Sequence, residues 1–253
     1  MLNKKLLTAA VTTVLFGGAG LAQAQERDDL DASSSSGFEI SGNVALTSDY
    51  RFRGISQSDE SGAIQGGFDA EFGPGFYIGT WGSSVDFDSN EGYDGSLELD
   101  YYAGWSSAIG DTDFGIDVGY IYYDYPGDNG DEGDYQEFYV SGSWKDFSLS
   151  VNYSDDYYAE TDEFWYFAAD YSTRLFVDEL SLGLHVGYNS LEKGGGFLSS
   201  NEDNYTDYSV SLTYAWAGVD LSVAFVGTDL DDNDVFGTDW ADDTAVFTIS
   251  KSM

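Results

Sequence analysis

The chain has 253 residues, with 46 Asp and Glu against 9 Lys and Arg, a formal net charge of −37, a single His and no Cys. A polyanion of this kind repels a phosphate backbone, which excludes nucleic acid as a partner. The missing thiols exclude disulfide stapling and any metal centre built from His and Cys.

Residues 1–24 read as a secretory signal, with Lys4 and Lys5 ahead of an apolar run and Ala22-Gln23-Ala24 as the cleavage site. Its removal leaves seven bases against the same 46 acids. Residues 25–37 are polar and contain Ser33-Ser34-Ser35-Ser36, which predicts a flexible N-terminal tail. Beyond residue 24 no segment is apolar for ~18 residues, so no transmembrane helix is expected. Yet 17% of the chain is aromatic, and 31 Gly stand against 2 Pro, the mixture of an all-β protein with much aromatic surface.

From Phe38 to Gly54 the sequence alternates. Phe38, Ile40, Val44, Leu46, Tyr50 and Phe52 fall on one side, and Glu39, Asn43, Thr47, Asp49, Arg51 and Arg53 on the other. A period of two is a strand with one apolar and one polar face. Over 38–54 it exceeds the ~5–6 residues of a soluble strand and suffices for the ~9–11 that cross a bilayer. Further alternating segments follow near 63–72, 76–87, 97–107, 114–122, 135–144, 147–153, 163–172, 180–189, 208–216, 219–225 and 245–250, about twelve in all. In the third, Tyr77, Trp81, Val85 and Phe87 are expected on the apolar side; in the eighth, Trp165, Phe167, Ala169 and Tyr171, with Phe164 and Tyr166 opposite.

The connections alternate as well: long and acidic after odd strands, short after even ones. Tyr77, Trp105, Trp144, Tyr171 and Trp216 fall at the short-turn end of the apolar faces; Tyr50, Phe87, Phe138, Tyr153, Trp165 and Tyr188 fall at the long-loop end. Two aromatic girdles and one-sided long loops are features of outer-membrane barrels. The expectation is an all-β fold, a transmembrane antiparallel up-and-down β-barrel over 38–253, set in bacterial outer-membrane lipid with both termini periplasmic. A soluble β-sandwich needs about 100 residues, so this length would make two domains, and no linker divides the chain.

The segment VALTSDYRFRGISQS, residues 44–58, resembles the opening strand of the TorF-family porins of Gram-negative outer membranes. The resemblance extends in kind over 38–253 and implies a membrane barrel inserted by the barrel assembly machinery. Outer-membrane strands usually end in an aromatic residue that this machinery reads; here Met253 keeps the parity and the apolar character.

Arg51 and Arg53 are two of the seven mature bases, with Asp49 beside them and Asp69, Glu71, Glu98 and Asp100 among the acids of facing polar strands. The pattern fits salt bridges that stiffen the barrel and, equally, a charged constriction. Asp86, Asp117, Glu137, Asp170, Asp207 and Asp220 share that parity. His185 points to the lumen with no base–orienter pair set up nearby in sequence, so no enzymatic activity is expected. Asp229-x-Asp231-x-Asn233 opens like a calcium loop, but Asp234 stands where Gly is required. Asp229, Asp231, Asp232 and Asp234 therefore suit at most loose bridging of Ca²⁺ or Mg²⁺, and no other cofactor is expected. The function expected is a porin-like channel for passive diffusion of small, preferably cationic solutes. The alternative is a plugged structural or adhesive barrel acting through its acidic extracellular loops.

Overall fold

The computed structural model describes residues 37–87, 95–127, 133–192 and 196–253. The expected signal peptide, the tail before residue 37 and part of the acidic loop after Pro126 lie outside the described residues.

Twelve strands close into one antiparallel barrel: β1 (Phe38–Thr47), β4 (Ala63–Phe72), β5 (Phe76–Ser84), β6 (Leu97–Ala108), β7 (Phe114–Asp124), β8 (Tyr135–Trp144), β9 (Phe147–Ser154), β10 (Phe164–Arg174), β11 (Leu180–Leu191), β12 (Asn204–Trp216), β13 (Val219–Thr228) and β14 (Thr244–Ser252). Two further strands, β2 (Arg51–Phe52) and β3 (Ile55–Ser56), make a small separate hairpin. Each barrel strand pairs with its neighbour, and β1 closes on β14 from Asn43↔Ser252 to Thr47↔Thr248. Closure leaves no open edge, which a strand in hydrocarbon requires. Met253 extends the seam by exchanging two backbone hydrogen bonds with Gly42, at 2.8 and 3.1 Å.

The outer face follows from the alternation. Ile40, Leu46, Ile64, Phe68, Leu149, Val210, Phe247 and Ile249 all stand exposed on the outside. An apolar band of this kind is costly in water and suits lipid. Short turns join strand pairs at one end; at Ala217-Gly218 both φ angles are positive (52° and 81°), as a type I′ hairpin requires. The longer connections, from Thr47 to Ala63 and from Thr228 to Thr244 among them, gather at the other end.

Two features differ from the sequence expectation. The first strand ends at Thr47, not Gly54, and Tyr50 and Phe52 turn into the lumen instead of joining the outer girdle. In β5 the parity is inverted: Phe76 and Ile78 face outward, and Tyr77 and Trp81 are buried inside. Phe87 also packs inward, in one core with Tyr125, Tyr157, Leu198, Val235 and Trp240 from the long loops. The physical cause in β5 is the size of the lumen. Tyr77 lies across from Gly104, Tyr102 across from Gly79 and Tyr139 across from Gly119, and a Cβ on any of these glycines would run into the facing ring. Phe164 and Tyr166 point inward as expected.

Candidate functional site

The site is the hairpin that fills the long-loop half of the barrel. Pairing of β1 with β4 stops at Thr47↔Ala63, and the Thr47 hydroxyl donates to the Asp49 carbonyl at 2.8 Å, turning the chain inward. Arg51 then pairs with Ser56 and Phe52 with Ile55. The two residues between them, Arg53 and Gly54, have φ of 48° and 84°, again a type I′ turn. Gly54 is needed twice over. Its φ lies in the left-handed region, and a Cβ there would run into the Thr228 methyl and come within 3.1 Å of the Asp207 Cβ. The tip thus touches the lumen wall at β12 and β13.

The arginines hold the hairpin on two sides. Arg51, 2% exposed, donates through Nε to Asp49 at 2.5 Å, through Nη1 to the Trp240 carbonyl at 2.5 Å and the Gly54 and Asp242 carbonyls at 3.2 Å each, and through Nη2 to Glu60 at 3.2 Å. Asp49 also accepts the Ser56 and Ser58 hydroxyls at 2.7 and 3.1 Å. Arg53, 3% exposed, pairs with Glu137 on β8 at 2.8 Å and donates to the Tyr157 hydroxyl at 3.1 Å. Its guanidinium carbon also lies 4.7 Å from the Phe164 ring centre and 4.3 Å from that of Tyr166, within cation–π range. A fully desolvated guanidinium needs that many partners. Burial raises the Glu60 carboxyl above the usual carboxylate range; Arg51 opposes the shift, and Asp49, Asp239 and Asp242 add to it.

On the β5–β6 side, the Tyr50 hydroxyl donates to Glu98 at 2.9 Å and its ring meets Trp81 edge-on, with centroids 5.5 Å apart. Asp100, next on the same face of β6, is fully buried. Between the hairpin and the loops lies a small aromatic recess of about 70 Å³, whose wall includes Phe52, Ile55, Phe87, Tyr157 and Trp240.

The lower, short-turn half is different. Asp69, Ser148, Ser150, Asp170 and Asp220 face inward there and keep partial solvent exposure. Asp69 accepts the Tyr102 hydroxyl at 2.5 Å, and Asp117 accepts that of Tyr77 at 2.6 Å, with Tyr139 on the same hydroxyl. His185 faces Asp170 at 2.7 Å through Nδ1 and Asp207 at 2.9 Å through Nε2, with the Tyr166 hydroxyl 2.9 Å from Nε2.

Of the residues expected to line a constriction, Asp49, Arg51, Arg53, Glu98 and Asp100 come together around the hairpin. Asp69 lies lower, and Glu71 is exposed at the short-turn end. The loop acids do not converge as a calcium loop would. Asp229 accepts the Thr206 N–H at 2.6 Å, and Asp231 and Asp234 close a capping box on a short 3₁₀ turn, Asp232–Asp234. Only Asp232 of the four joins a group, with Asp239 and Asp242, whose carboxylate oxygens lie within 4.8 Å of one another. The partners the sequence did not single out are Tyr157 and Trp240, which meet the arginines, while Tyr50, read there as a girdle residue, meets Glu98; all three contacts depend on the inward fold of the chain.

Two solved barrels share this architecture. A KdgM porin, 12% identical, matches 84% of this chain and 97% of its own with a TM-score of 0.50. The NanC porin, also 12% identical, matches 84% of this chain and 98% of its own with a TM-score of 0.50. No curated protein matches the sequence. The Gcw_chp family, described as bacterial protein of unknown function, matches residues 31–253. With its family profile running across the whole barrel, the chain belongs to the Gcw_chp family.

Proposed function

We propose that the chain is a porin-type channel of the bacterial outer membrane, with both termini periplasmic, passing small solutes with a preference for cations. The observation that carries this reading is a closed barrel that is apolar outside and lined inside by acids. Arg51, Arg53 and His185 are bound to Asp49, Glu60, Glu137, Asp170 and Asp207. Asp69 and Asp220 face the lumen with partial exposure and have no ion-pair partner among the described residues, so the lumen keeps a negative excess. Carboxylate-lined pores favour cations. The outward apolar band favours lipid as the surroundings, and the resemblance of residues 44–58 to TorF-family porins points the same way.

The hairpin sets how wide the path is. It fills the long-loop half, while Asp69, Asp170 and Asp220 in the short-turn half keep partial exposure. That same filling supports a second reading, a plugged barrel with a structural or adhesive role. Single-channel recording separates the two. The protein is compared with a variant in which residues 51–56 are replaced by a Gly-Ser linker. A channel narrowed by its hairpin gives small steps that grow several-fold in the variant; silence from both proteins supports the plugged barrel.

A further inference from the structure

Beneath the hairpin, three carboxylate oxygens are buried without a donor. Both oxygens of Asp100 and Oε2 of Glu98 have no hydrogen-bond partner, while the Tyr50 and Tyr125 hydroxyls both bond the Glu98 carboxylate. Asp100 is 0% exposed and Glu98 1%. The two sit two residues apart on the lumen face of β6, with Trp81 and Tyr123 as the cross-strand neighbours of Asp100. Glu137 and Asp124 lie within electrostatic reach of Asp100 and add to the negative field. No base answers it. Among the described residues no Lys, Arg or His pairs with Glu98 or Asp100; Arg53 is committed to Glu137, and Arg51 to Asp49 and Glu60.

Two adjacent buried carboxylates without a counter-charge are too costly to persist. A proton is an incomplete answer. One shared proton makes a single O–H donor and leaves the buried pair with a net negative charge, so a second proton would be needed to remove it. A metal cation answers all three together. The donors are all oxygens, from two carboxylates with the Tyr50 hydroxyl beside Glu98 at 2.9 Å, which selects a hard cation over a thiophilic one. A divalent ion matches the two carboxylate charges. Calcium accepts irregular oxygen sets completed by water, where magnesium demands near-octahedral geometry.

We propose that Glu98 and Asp100 form a calcium site under the β2–β3 hairpin, in which the cation bridges the two carboxylates. Because Tyr50 reaches the same Glu98, the ion also ties the hairpin to the β6 wall. The site stands whether or not the barrel conducts.

Terbium luminescence tests it, since Trp81 and the neighbouring tyrosines would sensitise an ion held there. The refolded full chain carries Asp232→Asn, Asp239→Asn and Asp242→Asn, which removes the exposed loop trio. High salt and excess Mg²⁺ suppress binding to surface carboxylates. The expected result is one saturable component displaced by Ca²⁺, lost on Glu98→Gln with Asp100→Asn. Trp81→Phe should dim the emission without moving the Ca²⁺ midpoint. If the double variant does not fold, Asp100→Asn alone is read, and Ca²⁺ against chelator gives a second measurement on the parent: its unfolding temperature should rise with Ca²⁺. Emission that survives the carboxamide variants, no saturable component, or an unfolding temperature indifferent to Ca²⁺ would each overturn the proposal.

Discussion

The seat of the hairpin rests on Gly54, and replacing it with Ala tests the inward fold directly. At φ of 84°, an L side chain costs ~1–2 kcal/mol. The added methyl meets the Thr228 methyl and the Asp207 Cβ against a packed wall, and overpacking of this kind costs ~1–3 kcal/mol. Together these oppose seating by ~2–5 kcal/mol, or about 30- to 4,000-fold in the ratio of seated to released hairpin, at tenfold per ~1.4 kcal/mol. Arg51 and Arg53 serve as reporters, because at 2% and 3% exposure they are closed to trypsin while the hairpin is seated. Cleavage after these two residues, assigned by mass spectrometry, should rise with the released population. Thr228→Ser removes the methyl but keeps the hydroxyl that bonds the Ala241 carbonyl and the Leu230 N–H, each at 3.1 Å. Added to Gly54→Ala, it should recover the packing part of the loss and leave the backbone part. Cleavage of Gly54→Ala as slow as that of the parent would refute the seating described.

Three other outcomes follow from the same geometry. Arg53→Gln leaves Glu137 buried without its cation, which costs ~3–5 kcal/mol in urea unfolding, and Glu137→Gln added to it should restore most of the loss. Val210 sits at the middle of β12 on the outer band, so Val210→Arg should cost ~2–4 kcal/mol on refolding into lipid vesicles. Ser209→Arg, whose side chain faces the acid-lined lumen beside Asp170 and Asp207, should refold nearly as well as the parent. Equal yields for the two would mean that the faces of β12 are misassigned. In the channel itself, Asp69→Asn should weaken the preference for K⁺, read as a smaller reversal potential under a KCl gradient.

Much of the barrel is legible in the sequence because one physical rule fixes it. A residue facing lipid must be apolar, and every second residue faces lipid, so Leu182, Leu184, Val186 and Tyr188 against Ser181, Gly183, His185 and Gly187 leave little choice. The rule fails where the inner face is also aromatic. Tyr77 and Trp81 look like girdle residues but fill a narrow lumen over neighbouring glycines, and only the register of β5 with β6 reveals it. It fails again after Thr47. Both faces of the hairpin are buried, so alternation continues through Tyr50, Arg51 and Phe52 without marking a lipid side. The available signal is the Arg53-Gly54 pair, a two-residue step with Gly in second place between residues of β propensity. The lumen charges are legible as a class by parity. Their pairing is not, since Arg53 meets Glu137 84 positions away and Arg51 meets the Trp240 carbonyl 189 positions away.

The central claim, an acid-lined channel, is tested most directly by the zero-current potential of the refolded protein in a planar bilayer under a KCl gradient. The lumen holds the partly exposed Asp69 and Asp220 beyond its paired charges, so the potential should carry the sign for K⁺ over Cl⁻. Replacing both Arg51 and Arg53 by Gln should push it further in that direction. A potential with the sign for Cl⁻, or no current from the parent and from the hairpin-shortened variant alike, would contradict the account.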